Sequence, residues 1–280
     1  MCELPAFPGP EGQGPSVLQF LEDSQVLAAC GAYRSPEIKS CYSLSMSDNA
    51  WNELSSLVGN HCSEPWGTRS HYLNNLGWLV IGQSYCSNDK PEISSELFWY
   101  EEEKWMETPI STPYKNGYPS STCSVKLNDS HVMVTGGNMQ GAIPESWILN
   151  LEGYSWAPAA PTLGLWVAHG CCLNAEGNAL VAGGIVGSDL STVYIYDAAS
   201  DSWSEDEYKL PDGVATRDYP TLFRWNGQPI LLEHKSDRIW IRKEGTGWEL
   251  MGTALGEQFE GNVDTAVLVS EESIHCPTNF

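Results

Sequence analysis

The chain contains one short run of side chains that commonly bind transition metals, His169-Gly170-Cys171-Cys172. Imidazole and thiolate groups are preferred zinc ligands in proteins. Neighbouring residues on a β-strand point to opposite faces of a sheet, so at most some of these side chains could reach one ion. We therefore interpret them as core or structural residues and predict no metal site.

The sequence carries no recognisable signature of a catalytic centre. A phosphate-binding loop, a dinucleotide-binding glycine pattern, an HExxH motif and a Gly-x-Ser-x-Gly nucleophile elbow are all missing. The polar residues that could serve a hydrolase-like or isomerase-like reaction are Arg69, His71, His169 and Asp218. We predict no catalytic residue and no cofactor, and we keep such an enzyme as the alternative to a non-enzymatic function.

The elements that would position these residues follow from an internal repeat. Five tryptophans recur at intervals of 54, 51, 47 and 45 residues, and the residue seven positions before each is apolar or aromatic. A β-rich run lies upstream of each one. A period of about 50 residues with several strands per unit predicts the blades of a β-propeller. The five are Trp51, Trp105, Trp156, Trp203 and Trp248.

The fourth repeat illustrates the strand pattern. Turn residues separate segments that predict strands at 168–173, 179–183, 192–197 and 202–205. The second segment is apolar, as in a strand buried on both faces, and the glycines after it allow a neighbouring blade to approach closely. We expect the late tryptophan of each repeat to pack between adjacent blades.

Two of the repeats resemble the kelch family. Val134-Thr135-Gly136-Gly137 is followed by Trp147 and Trp156, and Val181-Ala182-Gly183-Gly184 is followed by Tyr194, Tyr196-Asp197 and Trp203. The other three copies carry Cys30-Gly31, Ile81-Gly82 and Glu233-His234 in place of the diglycine. The resemblance spans roughly residues 17–250 through a shared register. It implies a propeller that binds a protein or peptide, as many kelch proteins do.

The two ends of the chain predict how the ring closes. After Trp248 only one more strand pair follows, at 264–270 and 273–276, whereas residues 2–8 form a short apolar segment bounded by proline. Ring closure removes exposed strand edges. We predict an all-β, six-bladed kelch-type β-propeller in one domain, 1–280, whose last blade gains a strand from residues 2–8. The predicted blades are approximately 17–57, 68–110, 119–160, 167–210, 219–255, and 262–280 completed by 2–8.

The loops that lead into the first strand of the interior blades each carry one aromatic residue at nearly the same place. In a propeller these loops share one rim with the loops that link second and third strands. Aromatic rings with a few basic side chains around a concave mouth can hold a ligand or a peptide. Alternatively, the rings wedge between blades and support the loops. The candidate binding residues are Tyr33, Arg34, Trp66, Arg69, His71, Tyr85, Tyr118, Trp166, His169, Arg217, Tyr219 and Phe259, and we expect Trp66, Arg69, Trp166 and Tyr219 to border the principal site.

Two functions follow from this rim. The first is a non-enzymatic recognition propeller that engages a partner protein or peptide. The second is a small-molecule site in the same channel mouth, in a sequestering protein or in the enzyme described above. A cationic ligand would suit aromatic rings in an acidic protein, because cations bind to the faces of such rings. An open pocket with converging polar groups would favour the second function over the first.

Charge and hydropathy exclude several partners. The chain has 36 acidic and 14 basic residues, a formal net charge of −22. This field repels nucleic acid and anionic membranes, so we predict neither as a partner. The sequence has no apolar run of about 18 residues and no basic start followed by an apolar segment, so we predict neither a transmembrane helix nor a signal peptide. We expect a monomer.

The nine cysteines and one glycosylation motif bear on location. Cys30 and Cys41 face one another across a predicted hairpin, and ring closure would bring Cys2 beside Cys276, so both pairs are disulfide candidates. We interpret Cys123, Cys171 and Cys172 as small core residues. The cysteines and the Asn128-Asp129-Ser130 sequon favour an extracellular location over a cytoplasmic one.

Overall fold

The computed structural model of the chain describes residues 5–8, 17–21, 26–30, 40–45, 47–57, 69–74, 76–81, 93–99, 102–106, 110–114, 121–138, 141–184, 190–214, 221–233, 236 and 238–253. These residues form 21 β-strands, with no helix among them. The described part of the chain accordingly contains no helix with the length and apolarity needed to cross a membrane.

In chain order the strands are β1 (Val17–Leu21), β2 (Val26–Cys30), β3 (Cys41–Ser45), β4 (Ala50–Leu54), β5 (Arg69–Leu73), β6 (Gly77–Ile81), β7 (Ile93–Trp99), β8 (Lys104–Trp105), β9 (Ile110–Ser111), β10 (Cys123–Asn128), β11 (His131–Thr135), β12 (Ser146–Asn150), β13 (Ser155–Ala159), β14 (Gly170–Leu173), β15 (Ala179–Ala182), β16 (Val193–Asp197), β17 (Ser202–Glu205), β18 (Thr221–Trp225), β19 (Gln228–Leu232), β20 (Arg238–Lys243) and β21 (Gly247–Thr253).

Consecutive strands pair into five antiparallel sheets of four, and β9 joins the second sheet by pairing with β7. The first to fifth sheets begin with β1, β5, β10, β14 and β18. An up-and-down meander of four strands is the construction of a propeller blade. The predicted all-β class is therefore confirmed, with five blades in the described residues where the sequence predicted six. The predicted sixth blade, 262–280, lies outside the described residues.

The chain divides into two compact units, Met1–Tyr118 with Thr265–Phe280, and Pro119–Asp264. Within the first unit, β1 contacts β5. Within the second, β10 contacts β14 and β14 contacts β18. In each unit, consecutive sheets therefore stand with their first strands side by side, which is how neighbouring blades pack.

The fourth sheet matches the predicted strands to within two residues. The largest difference is in its first strand, which starts at Gly170 rather than residue 168. Ala168 has a positive φ of 56°, outside the extended region, and its N–H donates to the carbonyl of Ser121 at 3.0 Å instead of joining a ladder. The sequence could not show this bond, because Ser121 precedes the first strand of the preceding sheet.

The second strand of each sheet forms the centre of the core. Strands β6 and β15 are buried along their whole length, and in β2 and β11 only the first residue is partly exposed. Continuous apolar runs suit these positions, because both faces of the strand are covered by neighbouring sheets. The prediction of a doubly buried strand before each glycine position is confirmed for these sheets.

In the first four sheets, each repeat tryptophan pairs across strands with the residue seven positions before it. Leu44 pairs with Trp51, and Tyr196 pairs with Trp203. In the fifth sheet the register is shifted, and Trp248 pairs with Arg242, six positions before it. The hairpin between β20 and β21 is one residue shorter, and an irregularity between Ile239 and Trp240 takes up the difference.

Two of the five repeat tryptophans connect adjacent sheets through their indole N–H groups. Trp105 Nε1 donates to the carbonyl of Ser55 at 2.7 Å, and Trp203 Nε1 donates to that of Ala160 at 3.0 Å. Each acceptor follows the last strand of the preceding sheet. Packing between neighbouring blades was predicted for the late tryptophans, and it is confirmed at these two.

Residues 5–8 do not form the predicted strand. The carbonyl of Pro5 accepts the N–H of Trp51 at 3.1 Å, and the Phe7 ring packs edge-on against Tyr42 and Trp51 with centroids 5.4 and 5.5 Å away. The prediction of a strand over residues 2–8 is wrong for this part. Pro5 and Pro8 have no N–H group to donate to a ladder, so the segment binds the first sheet through a carbonyl and a ring instead.

Disulfides form at one predicted pair and one unpredicted pair. Cys30 and Cys41 are bonded and lie opposite each other in the β2–β3 register, as predicted. Cys123 of the third sheet is bonded to Cys171 of the fourth, so the interpretation of these two as free core residues is wrong. Cys172 is free and buried. Cys2 and Cys276 lie outside the described residues, so their pairing stays a prediction.

Candidate binding rim

Two loops of the second unit meet at one edge of the third and fourth sheets. The 136–145 loop links β11 to β12, and the 160–169 loop leads from β13 into β14. Gly137 N–H donates to the carbonyl of Trp166 at 2.8 Å, and Thr162 N–H donates to that of Pro144 at 2.9 Å. The loop that enters a first strand therefore lies against the loop that links a second and third strand. We call these two loops the rim.

The diglycines hold the 160–169 loop in place. A Cβ on Gly136 would lie 2.6 Å from His169 Cε1 and 2.7 Å from the carbonyl oxygen of Trp166. A Cβ on Gly184 would lie 2.7 Å from the carbonyl oxygen of Val167. Both glycines also have positive φ, 64° and 108°, which side chains rarely tolerate. The loop backbone thus passes between two glycines, as the close approach predicted for this motif requires.

Trp166 and His169 come together, but in the protein interior. Their ring centroids are 5.7 Å apart, and both side chains are buried. The Trp166 ring also packs against Tyr194 at 4.8 Å and Trp203 at 5.0 Å. This is the position of a wedge between the third and fourth sheets, which was the alternative interpretation of the loop aromatics.

The exposed residues of the 160–169 loop are Pro161 and two leucines. Leu163 is 58% exposed and Leu165 is 46% exposed. Gly164 between them lies on the Trp166 ring, since a Cβ there would be 2.7 Å from Trp166 Nε1. The Thr162 hydroxyl donates to the carbonyl of Gly164 and tightens the turn. The buried indole therefore supports a turn that presents two apolar side chains to solvent.

Sequence reasoning missed these leucines because it followed the aromatic residue of each loop. A signal was present in the form of Leu163-Gly164-Leu165 just after Pro161, where apolar residues flank a glycine outside any predicted strand. The position of the Trp166 ring decides which of these residues are exposed. That position depends on how the sheets pack.

The remaining predicted site residues are placed only in part. Arg69 and His71 lie on β5 in the first unit, where they pair with Ile81 and Leu79 of β6. Unlike Trp166 and His169, they belong to the first unit. The other predicted residues fall outside the described part of the chain: Tyr33, Arg34, Trp66, Tyr85, Tyr118, Arg217, Tyr219 and Phe259, as does Asp218.

The contacts of His169 to Cys172 do not support metal binding by this run. Cys171 is bonded to Cys123 and is therefore unable to serve as a thiolate ligand. Burial raises the pKa of the Cys172 thiol to about 12, with Arg224 opposing the shift, so this thiol stays protonated at neutral pH. Within the described ranges, no three His, Cys, Asp or Glu side chains are grouped to hold a metal ion.

The fifth sheet replaces the diglycine with a carboxylate network. Glu233 is buried and accepts hydrogen bonds from Arg238 at 2.8 and 3.0 Å and from Trp240 Nε1 at 3.1 Å. The Ser236 hydroxyl also donates to it, and Arg238 reaches the carbonyl of Gly213 at 2.8 Å. These groups satisfy both carboxylate oxygens. Such a fully hydrogen-bonded carboxylate suits a structural role rather than that of a general acid or base.

An aspartate fixes the start of the 160–169 loop. Asp201 Oδ1 accepts the backbone N–H of Ala160 at 2.7 Å and the hydroxyl of Tyr196 at 2.8 Å. These two bonds lower the pKa of Asp201, the first more than the second. Burial, together with Asp201, raises the pKa of Tyr196. The charged aspartate thus ties the fourth sheet to the segment from which the rim loop begins.

The chain matches no protein-family model and no curated protein.

Proposed function

We propose that this protein is a non-enzymatic recognition propeller of the kelch type, which binds a partner protein or peptide through the rim. One observation carries the proposal: Leu163 and Leu165 are exposed on a loop whose backbone is held by the diglycines, Trp166 and Pro144. Binding residues tend to lie on loops that a rigid scaffold positions, because such loops lose little entropy when a partner docks.

The chemistry of the rim favours an apolar anchor over a reacting group. Burying a leucine side chain contributes about 1.5–3 kcal/mol, and about half of each leucine is still available for burial by a partner. His169, which the enzymatic alternative would use, packs against Trp166 and Gly136 in the interior. The net charge of −22 favours a partner whose contacting surface is neutral or basic.

A peptide selection tests this function. Peptides that bind the purified full chain would be selected from a random display library, and their affinities measured for Leu163→Ser/Leu165→Ser. We expect at least a tenfold loss of affinity, since about 1.4 kcal/mol corresponds to tenfold and truncation of anchor residues costs that much or more.

The matched control is Leu250→Ser/Met251→Ser, which removes two apolar side chains of similar exposure, 53% and 47%, from the outer strand of the fifth sheet. The selected peptides should bind this variant as they bind the original protein. Equal binding to both variants, with unchanged melting curves, would place the recognition surface elsewhere.

We also propose that the N-terminal segment closes a six-bladed ring. The carbonyl of Pro5 accepts a hydrogen bond from the indole N–H of Trp51. The carbonyls of Ser55 and Ala160 accept the same kind of bond from Trp105 and Trp203. In the latter two cases the acceptor follows the last strand of the preceding sheet. Pro5 thus takes the place of the segment that leaves the preceding blade, which supports a contribution of the N-terminal residues to the last blade.

Deletion of residues 1–8 should lower the melting temperature, and Phe7→Ala alone should cost about 1–3 kcal/mol for its two ring contacts. Ala6→Ser changes an exposed neighbour and serves as the control. Deletion of residues 1–4 keeps Pro5 and Phe7 and tests closure itself. If the melting curve of that shorter deletion coincides with that of the original protein, closure by this segment is wrong.

A further inference from the structure

We propose that Asn128 is an acceptor for N-linked glycosylation and that the sugar projects from the end of the third sheet opposite the rim. The sequence contains one Asn-x-Ser/Thr sequon, Asn128-Asp129-Ser130. It occupies the turn between β10 and β11, and the Asn128 and Asp129 side chains are exposed. A glycan is bulky and hydrated, so its attachment site must open to water in the folded protein.

The hydrogen bonds of Asn128 are compatible with a sugar on its nitrogen. Its Oδ1 accepts the N–H of Ser130 at 2.9 Å and contacts His131 Nδ1 at 3.1 Å. Both contacts are made by Oδ1, and neither of them uses Nδ2. Glycosylation replaces one hydrogen on Nδ2 and leaves the oxygen unchanged, so the turn keeps its hydrogen bonds when the glycan is attached.

The cysteines supply an independent observation. Both disulfides of the described residues, Cys30–Cys41 and Cys123–Cys171, need an oxidising compartment to persist. N-linked glycosylation in eukaryotes takes place in such a compartment. The exposed sequon and the oxidised cysteines therefore indicate the same cellular route.

The reaction is a group transfer that needs no redox partner. Nδ2 of Asn128 attacks the anomeric carbon of an oligosaccharide pyrophosphate, and a C–N bond forms. The bond from that carbon to the pyrophosphate oxygen breaks, pyrophosphate leaves with the electron pair, and a base of the glycosyltransferase accepts one proton from Nδ2.

Topology places the glycan away from the rim. Strands β10 and β11 are antiparallel, so the turn between them lies at the opposite end of the sheet from the 136–145 loop, which follows β11. A glycan at Asn128 would shield the far edge of the third sheet and leave the rim open. This inference does not depend on the proposed function, because it concerns the other end of the sheet.

The test is to express the full chain behind a cleavable secretion leader in cultured eukaryotic cells. The protein is recovered from the medium and from the lumen of the endoplasmic reticulum. Peptide mapping before and after treatment with peptide:N-glycosidase then shows whether Asn128 carries sugar, since the enzyme converts a glycosylated asparagine to aspartate. We expect conversion of most of the protein at Asn128.

Three variants sharpen the result. Asn128→Gln removes the acceptor and Ser130→Ala keeps it while destroying the sequon, so both should lose the glycan. Asp129→Glu changes the middle residue, preserves the sequon and should remain glycosylated. Recovery of the lumenal or secreted protein with Asn128 unmodified would overturn the proposal, as would a glycan that persists in Ser130→Ala.

Discussion

Replacing Cys123 and Cys171 together with alanine should lower the free energy of unfolding by about 4 kcal/mol, according to the chain-entropy relation for a loop of this length. The two cysteines are 48 residues apart in sequence and join the first strands of the third and fourth sheets. Removal of the bond gives the unfolded chain freedom that it otherwise lacks. Chemical denaturation of the double variant measures the effect.

Two comparisons give this prediction its control. The Cys30–Cys41 bond closes a separation of only 11 residues, so its removal should cost about 3 kcal/mol by the same relation. Cys172→Ala removes a buried free thiol from the same strand as Cys171 and should cost the least of the three. If removal of the Cys123–Cys171 bond lowers the free energy of unfolding no more than Cys172→Ala does, the bond does not stabilise the contact between the two sheets.

Replacing Arg242 with methionine should destabilise the protein by about 3 kcal/mol or more, because it leaves a buried carboxylate without its partner. Arg242 Nε and Nη2 donate to the two oxygens of Asp206 at 3.1 and 2.9 Å, and the side chains are 13% and 4% exposed. The guanidinium also lies over the Tyr208 ring at 4.2 Å. Asp206 follows the last strand of the fourth sheet and Arg242 lies in the fifth, so the pair connects two blades.

The neighbouring Lys243 provides a matched control. Its ion pair with Glu249 is open to solvent, with side chains 51% and 42% exposed. Lys243→Met should therefore change the free energy of unfolding by no more than about 1 kcal/mol. The double variant Asp206→Asn/Arg242→Met should be more stable than Arg242→Met alone, because the uncompensated charge is gone. Equal effects of Arg242→Met and Lys243→Met would show that the Asp206 pair is not an important connection between the sheets.

Repetition in the sequence accounts for how much of the fold could be predicted. A tryptophan and the apolar residue seven positions earlier form a cross-strand pair, so their recurrence reports a hairpin of fixed length. The fifth repeat departs from this rule because its hairpin is shorter, and the pair becomes Trp248 with Arg242. Such local relations are visible in the sequence because both partners lie within one β-hairpin.

The candidate site was less predictable, for a physical reason. The sequence marked Trp166 as the notable residue of its loop, but could not show whether an indole faces solvent or the next sheet. In the structure the rings of Tyr194 and Trp203 pack against Trp166, and Gly136 lies close to its loop. Leu163 and Leu165 are exposed instead of the tryptophan. Exposure in a loop depends on packing partners that are distant in the sequence.

The all-β class, the blade repeat, the positions of the doubly buried strands and the Cys30–Cys41 hairpin bond could all be predicted from the sequence. Each depends on contacts between residues close in the chain, which alternation, turn residues and spacing record directly. The Cys123–Cys171 bond, the Arg242–Asp206 pair and the inward position of Trp166 became apparent only in the folded protein. Each of these joins neighbouring sheets, and the lateral position of one sheet against the next is set by side-chain packing along their whole length rather than by any local pattern.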